Sequence, residues 1–309
     1  MEKVIKYQAT EADEGWLVRS VMKTRLRLSA TQIKRAKFKA LGITVNGRQV
    51  TVRARLQAGD MLQVRIEDAQ TQSAQLVPRP GPLQIAYEDS ELMVVNKPAG
   101  LPVHPSPGHY DDTLANILVW HFQQRGQGLV VRTLGRLDKD TSGLILVAKN
   151  APAQTELERQ RAEGALQRIY LALVEGQPVP PSGRVDAPIG CRSGSLMARE
   201  VRDDGMPAVT DYETLAAGEA YSLVRLRLHT GRTHQIRVHM AHLGHPLLGD
   251  FLYGQEGLLG MARTALHSSE LAFRHPVSGE ALRFQSPLPP DMDRLARMLE
   301  GGQAGAERK

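Results

Sequence analysis

The sequence predicts an α+β protein in which a small basic N-terminal domain precedes a larger domain with a mixed, largely antiparallel sheet and flanking helices. Its 309 residues exceed the usual size of one domain. A run rich in Gln and Pro, at 69–82, separates a basic segment from the rest. Beyond this run, short apolar strands alternate with helical stretches at irregular spacing, so a doubly wound sheet is not expected.

The composition favours a soluble globular protein. Apolar residues make up 41% of the chain and charged residues 23%, and the mean hydropathy is -0.31. No apolar run approaches the roughly 20 residues that a membrane span requires, and no basic flank followed by an apolar stretch marks a secretory signal. The single cysteine, Cys191, allows no internal disulfide and excludes zinc sites built from several thiolates. We therefore expect a cytoplasmic protein without a membrane partner.

Positive charge is concentrated near the N terminus. The whole chain carries a net charge of +6, but residues 15–66 contain twelve basic side chains and one acid, Asp60, which gives +11. The remainder holds 27 basic and 32 acidic side chains and is therefore at −5. A basic segment beside a mildly acidic body indicates a module that binds a polyanion, and a solvated surface is the alternative.

The basic segment carries end signals for one helix and one hairpin. Ser29-Ala30-Thr31-Gln32 has the form of a capping box, and Gly42 occupies the position of a C′ glycine, so the pattern predicts a helix over 30–41. Asn46-Gly47 between extended runs predicts a tight hairpin turn. The predicted strands are Ile43–Val45, Val50–Arg55 and Met61–Ile66.

These elements resemble the alpha-L RNA-binding domain, which is named after a ribosomal small-subunit protein. The resemblance rests on the segment RLSATQIKRAKFKALGITVNGRQVTVRARLQAGDMLQV. It implies that the basic helix and the hairpin bind structured RNA. It assigns RNA contacts to Arg27, Lys34 and Arg48.

The chain is expected to divide at the Gln- and Pro-rich run. The predicted parts are a basic domain at 1–68 with its core at about 15–66, a linker at 69–82, a larger domain at 83–296 and a frayed tail at 297–309. In the larger domain the predicted strands are Leu92–Asn96, Leu144–Val147, Ile169–Val174 and Leu223–Leu228. The predicted helices are Thr113–Gln123, Ala151–Glu163 and His234–Leu243.

A dense polar run, GRLDKDTSG at 135–143, precedes the apolar strand LILVA. Asp, Ser and Gly are common in turns, so a well-capped loop is one interpretation. The other is a catalytic loop, because a carboxylate beside a rigid strand can be presented into a cleft with a cation nearby to keep it ionised. Spacing alone does not separate the two.

A second polar run, at 228–240, ends a strand and begins a helix. Arg232, Thr233 and the backbone amides at the helix start are suited to bind a phosphate or a carboxylate. A metal site is the alternative, but no acidic ligand has zincin spacing and HEXXH is absent, so no metal is expected. The histidines that raise this alternative are His229, His234, His239, His242 and His245.

Three segments, taken in order, resemble the RluA-type family of RNA pseudouridine synthases. They are RLDKDTSGLILVAKN, RIYLALVEG and LHTGRTHQIRVHMAHLGHPLLGDFLYG. The resemblance extends from YEDSELMVVNKPAGLPVHPS (87–106) to LHSSELAFRHPVSGEALRFQSPLPPDM (266–292) and covers nearly the whole larger domain. One departure is Gly135, because family members commonly have His before Arg-Leu-Asp.

The resemblance implies isomerisation of uridine to pseudouridine in structured RNA, with large-subunit (23S) ribosomal RNA as the expected substrate. It assigns the catalytic carboxylate to Asp138 and its charge partner to Arg237. It places Tyr170 against the target base and makes it the suspected acceptor of the C-5 proton. Arg136 is expected to fill the space left by the extruded base or to bind a neighbouring phosphate. No cofactor is implied, since the reaction changes no net composition and no Walker or dinucleotide-binding motif is present.

A non-catalytic RNA-binding or ribosome-assembly protein on the same scaffold is the alternative function. The complete set of Asp138, Tyr170 and Arg237 favours the enzyme. Asp140 is interpreted as a turn cap, and Lys97 as a structural residue or an RNA contact. The expected partner is RNA, and the protein is expected to act as a monomer.

Overall fold

The fold contains a small sheet, a large sheet and one separate hairpin. The computed structural model describes residues 2–26, 28, 30–67, 76–128, 130–195 and 197–306. Within these ranges no helix is long and apolar enough to cross a membrane. Arg27, Ser29 and residues 69–75 of the predicted linker lie outside the described residues.

Two helices pack on a four-stranded antiparallel sheet at the N-terminal end. The elements are β1 (Glu2–Gln8), α1 (Val18–Thr24), α2 (Ala30–Lys37), β2 (Ile43–Val45), β3 (Arg48–Gln49) and β4 (Met61–Glu67). The strand order is β1-β4-β2-β3. Val21 and Met22 of α1 and Ile33 of α2 are buried against Leu62 and Val64 of β4, so both helices bury their apolar faces in one core. Because β1 pairs with β4 from residue 2 onward, the folded unit begins well before residue 15.

The predicted hairpin turn is confirmed. Asn46 and Gly47 have positive φ angles of 49° and 80°, as a two-residue turn of type I′ requires. The predicted helix was too long, because α2 ends at Lys37. The residue with left-handed backbone is Leu41 and not Gly42. Gly42 is needed for a different reason, since a Cβ atom there would lie 2.1 Å from the carbonyl oxygen of Ala36.

The predicted strand Val50–Arg55 is wrong, and the missed helix α1 explains why. The carbonyl oxygens of Val52 and Ala54 accept hydrogen bonds from the backbone amides of Arg19 and Val18, at 3.0 and 2.8 Å. These amides belong to the first turn of α1 and have no partner within the helix. The segment therefore caps α1 instead of extending the sheet.

The larger domain is built on a ten-stranded sheet. Its strands are β5 (Gln84–Glu88), β6 (Leu92–Lys97), β7 (Arg132–Thr133), β8 (Ser142–Ala148), β9 (Gln167–Glu175), β10 (Ser182–Asp186), β13 (Val209–Ala217), β14 (Tyr221–Leu228), β15 (Leu266–Arg274) and β16 (Ala281–Gln285). The separate hairpin is β11 (Ile189–Cys191) with β12 (Arg199–Val201). The helices are α3 (Leu114–Gln124), α4 (Ala151–Ala162), α5 (Gln235–His242) and α6 (Pro290–Ala306).

The large sheet is mixed and largely antiparallel, as predicted. Its main order is β10-β13-β14-β9-β15-β8-β6-β5, with β16 beside β15 and β7 beside β8. Among the described strands only β8 and β15 pair in parallel, through Ser142 with His267 and Gly143 with Ser268. A Cβ atom at Gly143 would lie 2.2 Å from the carbonyl oxygen of Ser268. This close approach fixes where β8 begins, directly after the polar run that the sequence singled out.

The three predicted helices of the larger domain are present, and α6 is a further helix that was not predicted. Thr113 and Asn150 precede α3 and α4 as N-cap residues, and Asn150 Oδ1 accepts from the Ala153 amide at 2.9 Å. The last helix, α6, continues to Ala306, so residues 297–306 are helical and not frayed. Leu299 is buried with Met292 and Leu295 in the core. The larger domain thus extends past residue 296, because the apolar face of α6 packs on the sheet.

Candidate active site

The loop that carries Asp138 connects β7 to β8. Leu137 of this loop is buried in the core. The backbone amide of Thr141 donates to the carbonyl oxygen of Asp138 at 3.1 Å. Arg263 Nη1 donates to the carbonyl oxygen of Asp140 at 3.0 Å. Asp140 therefore contributes to the rigidity of the loop through its backbone carbonyl group. The loop is tight enough to present the Asp138 carboxylate in one place.

Lys97 also binds the loop that carries Asp138, through the carbonyl oxygen of Lys139. Its ammonium group, 1% exposed, donates to three carbonyl oxygens, those of Pro98, Leu101 and Lys139, at 2.8, 2.8 and 3.0 Å. Burial lowers the pKa of Lys97 to about 7, while the nearby carboxylates of Asp140 and Asp138 act in the opposite direction. Lys97 is therefore a structural residue in this chain, which resolves the two interpretations that the sequence left open.

Arg237 on α5 joins two carboxylates. Its Nε and Nη2 atoms donate to Asp250 Oδ2 and Oδ1, each at 2.7 Å, and its Nη1 atom lies 3.4 Å from Asp138 Oδ2. Burial opposes the charge of Arg237, but the hydrogen-bonded Asp250 raises the pKa of the guanidinium group overall. The structure thus brings Asp138 and Arg237 together, as predicted, and adds Asp250 as a fully buried anchor.

His234 is a second neighbour of Asp138. It is the N-cap of α5, with left-handed backbone at φ 57°. Its Nε2 atom lies 3.9 Å from Asp138 Oδ2, and its Nδ1 atom lies 2.9 Å from the hydroxyl of Tyr253. In the sequence, His234 stood out only as a possible metal ligand. The available signal was the closeness in sequence of His234 and Arg237, which brings two polar side chains to the start of one helix.

A cleft opens in front of Asp138, with a smaller recess beside it. The cleft has a volume of about 570 Å³ and is lined by Asp138, Arg136, His104, Phe251 and Met197 among others. Such a volume accommodates a small organic group such as a nucleotide. The recess is about 40 Å³ and is lined by Tyr170 as well as by Asp138 and Arg136. Asp138 borders both spaces.

Tyr170 lies on β9 and is buried, with 6% exposure. Burial raises the pKa of its phenol, so the hydroxyl is protonated at pH 7. The structure brings Tyr170 to the recess beside Asp138. A protonated phenol is a weak base and a good hydrogen-bond donor.

The side chains predicted to contact RNA near the cleft already form hydrogen bonds within the protein. Arg136 is exposed and donates to Thr233 Oγ1 at 3.0 Å. Arg232 Nε donates to the Pro207 carbonyl oxygen at 3.0 Å, and its backbone amide donates to Gln235 Oε1 at 2.9 Å. The start of α5 was expected to offer free amides, but the Gln235 side chain already occupies this one.

Position 135 has a backbone that suits glycine. Gly135 has φ 89°, and a Cβ atom there would lie 3.7 Å from Arg168 Nη1. A positive φ is readily adopted by glycine and is strained for most other residues. The departure from the family pattern at this position therefore coincides with a left-handed turn just before Arg136.

The other histidines of the second polar run are dispersed. His229 Nε2 lies 2.6 Å from Asp211, His239 bonds to Thr210 and to the Ala187 carbonyl oxygen, and His245 Nδ1 lies 2.8 Å from the Glu175 carbonyl oxygen. Across residues 2–306, omitting the gaps noted above, no group of three or more His, Cys, Asp or Glu side chains is arranged to hold a metal ion.

The N-terminal domain has a basic groove of about 480 Å³ between its two helices. Its lining includes Lys34, one of the predicted RNA contacts. The other lining cations are Arg19, Lys23 and Lys37. Phe38, 74% exposed, borders the groove and lies under the Lys37 ammonium group, 5.1 Å from its ring centre. Arg48 is exposed on β3, outside the groove lining.

Comparison with known proteins identifies the class of enzyme. Residues 91–242 match the family described as RNA pseudouridylate synthase. This range contains Asp138, Tyr170 and Arg237. Two human structures are similar in fold. RNA Pseudouridylate Synthase Domain Containing 4 has a TM-score of 0.56 at 25% identity and covers 70% of this chain and 92% of its own. Domain Containing 1 has a TM-score of 0.54 at 29% identity, with 72% and 97% covered. The class is an isomerase that acts on RNA.

Similar sequences define the family more closely. The uncharacterized RNA pseudouridine synthase YjbO of Bacillus subtilis is 42% identical over 88% of this chain and 95% of its own length. Ribosomal large subunit pseudouridine synthase D of Xanthomonas campestris is 42% identical, with 85% and 82% covered, and that of Zymomonas mobilis is 44% identical, with 72% and 74% covered. The chain belongs to the RluA-type RNA pseudouridine synthases.

Proposed function

We propose that this RNA pseudouridine synthase modifies large-subunit (23S) ribosomal RNA and that Asp138 supplies the catalytic carboxylate. The observation that carries the proposal is the position of Asp138 at the mouth of the cleft, 3.4 Å from the buried cation of Arg237. The names of the Xanthomonas and Zymomonas relatives support the choice of RNA. A ribosomal substrate also implies a reaction in the cytoplasm.

The two carboxylate oxygens of Asp138 have different surroundings. Arg237 and His234 both approach Oδ2, at 3.4 and 3.9 Å. Among the described residues, Oδ1 accepts no hydrogen bond. We therefore assign Oδ2 to the protein and Oδ1 to the substrate. An anion held on one side by a fixed cation is already oriented when the substrate arrives.

The reaction exchanges one bond between base and sugar for another. The bond from N-1 of uracil to C-1′ breaks, the base turns, a bond from C-5 to C-1′ forms, the C-5 proton leaves and N-1 gains a proton. Asp138 Oδ1 acts as a nucleophile or stabilises the positive charge that develops at the sugar. The buried Arg237, 3.4 Å from Oδ2, orients this carboxylate.

Tyr170 is proposed to hold the base. Its raised pKa disfavours removal of the C-5 proton by the phenol at neutral pH. Tyr170 borders the recess beside Asp138, where it can contact a uracil that has left its stack. Arg136, exposed at the rim and held by Thr233, is proposed to bind the RNA from which the uridine was extruded.

The N-terminal domain is proposed to be an alpha-L RNA-binding domain. Four cations line one groove, and the exposed Phe38 adds an aromatic surface on which a base can stack. Lys34 in the groove and Arg48 on the hairpin are the assigned contacts within the described residues. Arg27 remains a prediction. Domain limits near 68 and 83 are likewise proposed.

The test of the substrate is a chemical map of pseudouridine in total RNA from cells with and without the gene. We expect at least one 23S position to lose its pseudouridine in the deletion strain, with transfer RNA unchanged. A loss confined to transfer RNA would contradict the proposed substrate.

Because Asp138, Tyr170 and Arg237 lie on one chain, we also predict a monomer, which sedimentation equilibrium of the purified protein checks.

A further inference from the structure

We propose that Tyr253 and His234 form a relay that orients Asp138, in which Tyr253 is hydrogen-bonded to His234 and the Nε2 atom of His234 faces the carboxylate at 3.9 Å. Both act as positioning residues for the catalytic carboxylate. The proposal rests on the role proposed above for Asp138. His234 borders the cleft, but the relay acts on the substrate only through Asp138. Its effect is to hold the carboxylate in one orientation.

The backbone of His234 places its side chain between the other two residues. His234 has φ 57° and ψ 21°, an uncommon conformation for a residue with a side chain. Such conformations persist where the surrounding structure holds them, and they are concentrated at functional sites. Here the result is an imidazole with Nδ1 2.9 Å from Tyr253 Oη and Nε2 3.9 Å from Asp138 Oδ2.

The direction of the hydrogen bonds follows from the partners of Tyr253. Its hydroxyl oxygen accepts the backbone N–H of Arg199 at 2.8 Å. The hydroxyl proton then needs an acceptor, and within the described part of the chain the only one in contact is His234 Nδ1. Tyr253 therefore donates to His234.

The tautomer of His234 follows. Burial lowers the pKa of His234, and burial raises the pKa of Tyr253, so both side chains are neutral at pH 7. A neutral imidazole has one N–H group, and its other nitrogen is an acceptor. Because Nδ1 accepts from Tyr253, the proton lies on Nε2, which is the nitrogen that faces Asp138.

Two N–H groups thus face the same oxygen of Asp138. His234, the N-cap of α5, and Arg237, in the first turn of the helix, both approach Oδ2. The Tyr253 ring also lies 5.1 Å from the Arg237 guanidinium carbon, so this residue contacts both partners of the carboxylate. Substitution of Tyr253 by Phe retains the ring contact with Arg237 and removes the hydroxyl, which isolates the histidine branch.

The first test is the tautomer of His234, measured by NMR on the full-length protein labelled with ¹⁵N-histidine, without RNA. We expect Nε2 to carry the proton in the wild type at pH 7. We expect Tyr253→Phe to abolish this preference. A wild-type His234 protonated on Nδ1, or a tautomer unchanged in Tyr253→Phe, would overturn the proposal.

The second test is a double-mutant cycle on the rate. Single-turnover release of tritium from C-5 of uridine in 23S RNA is measured for Tyr253→Phe, His234→Gln and the double variant. We expect Tyr253→Phe to lower kcat by about tenfold, on the scale seen when a group that orients a functional ligand is lost, with KM unchanged. In the His234→Gln background the same substitution should have no further effect.

The control is Tyr221→Phe, because the Tyr221 hydroxyl is also buried and donates to the Leu295 carbonyl oxygen at 3.0 Å, away from the cleft. We expect this variant to retain the wild-type kcat. An equal loss from Tyr253→Phe in both backgrounds, or an effect on KM alone, would contradict the relay. Wild-type inactivity on 23S RNA would contradict the proposed substrate, and the tautomer measurement then decides the relay by itself.

Discussion

Arg237 binds Asp250 through two parallel hydrogen bonds, each 2.7 Å long, and this pairing leaves Nη1 as the guanidinium nitrogen that faces Asp138. The planar fork of arginine suits such bidentate pairing. Asp250 is fully buried, and its Oδ1 atom also accepts from the amides of Leu252 and Tyr253. The orientation of the catalytic carboxylate therefore depends on a second carboxylate that does not line the cleft.

Asp250→Asn is expected to destabilise the fold as well as to slow the reaction. Breaking a buried ion pair costs about 3–5 kcal/mol, because the remaining charge loses its partner. Urea unfolding measures the change. The control is Asp204→Asn, since Asp204 forms a similar bidentate pair with Arg202 but is exposed, and there we expect no shift of the unfolding midpoint. Equal midpoints for both variants would contradict the anchoring role of Asp250.

Arg237→Lys is expected to lower kcat by about 10²-fold, the scale of loss for a misplacement of about 1 Å in an active site. A lysine retains the positive charge but cannot bind both oxygens of Asp250 and still reach Asp138. Single-turnover kinetics on 23S RNA measure the rate, with Arg202→Lys as the control at an exposed pair. Wild-type turnover in Arg237→Lys would show that charge alone is sufficient.

Lys34→Gln is expected to weaken RNA binding and to reduce its salt dependence. If Lys34 in the groove contacts a phosphate, the slope of log K against log salt should decrease by about 0.7–0.9. Lys6→Gln is the matched control, because Lys6 is exposed on β1 outside the groove. Filter binding from low to high salt measures both slopes. An unchanged slope for Lys34→Gln would place the phosphate contacts elsewhere.

Gly143→Ala is expected to destabilise the larger domain far more than Gly126→Ala. Both glycines have positive φ, at 104° and 66°. At Gly126 a Cβ atom meets nothing within 4 Å, so strain of about 1 kcal/mol is the only cost. At Gly143 a Cβ atom would lie 2.2 Å from the Ser268 carbonyl oxygen and would separate β8 from β15. Thermal unfolding compares the two, and similar midpoints would contradict the close contact.

Local signals in the sequence predicted much of the fold. Turn chemistry located Asn46-Gly47, and helical sequence patterns located α3 and α4. The failures were non-local. The segment 50–55 has an extended apolar pattern, but its carbonyl groups cap α1, about 35 residues earlier in the chain. No local pattern carries that information.

The residues of the candidate site were also predicted only in part from the sequence. The paired roles of Asp138 and Arg237, which are 99 residues apart, came from family resemblance and not from spacing. Asp250 and Tyr253 lie in the quoted segment GDFLYG, but their roles depend on which α5 side chains they meet. Lys97 was assigned its structural role only when its three carbonyl partners became visible.

Asp138 is proposed to perform the chemistry on 23S RNA. The most direct measurement is pseudouridine formation in 23S RNA by purified wild-type protein and by Asp138→Asn, with RNA affinity measured in parallel. We predict that Asp138→Asn forms no pseudouridine while it binds RNA and unfolds like the wild type, since the side chain is similar in size and lies at the cleft surface. Pseudouridine formation by Asp138→Asn at the wild-type rate would contradict the account.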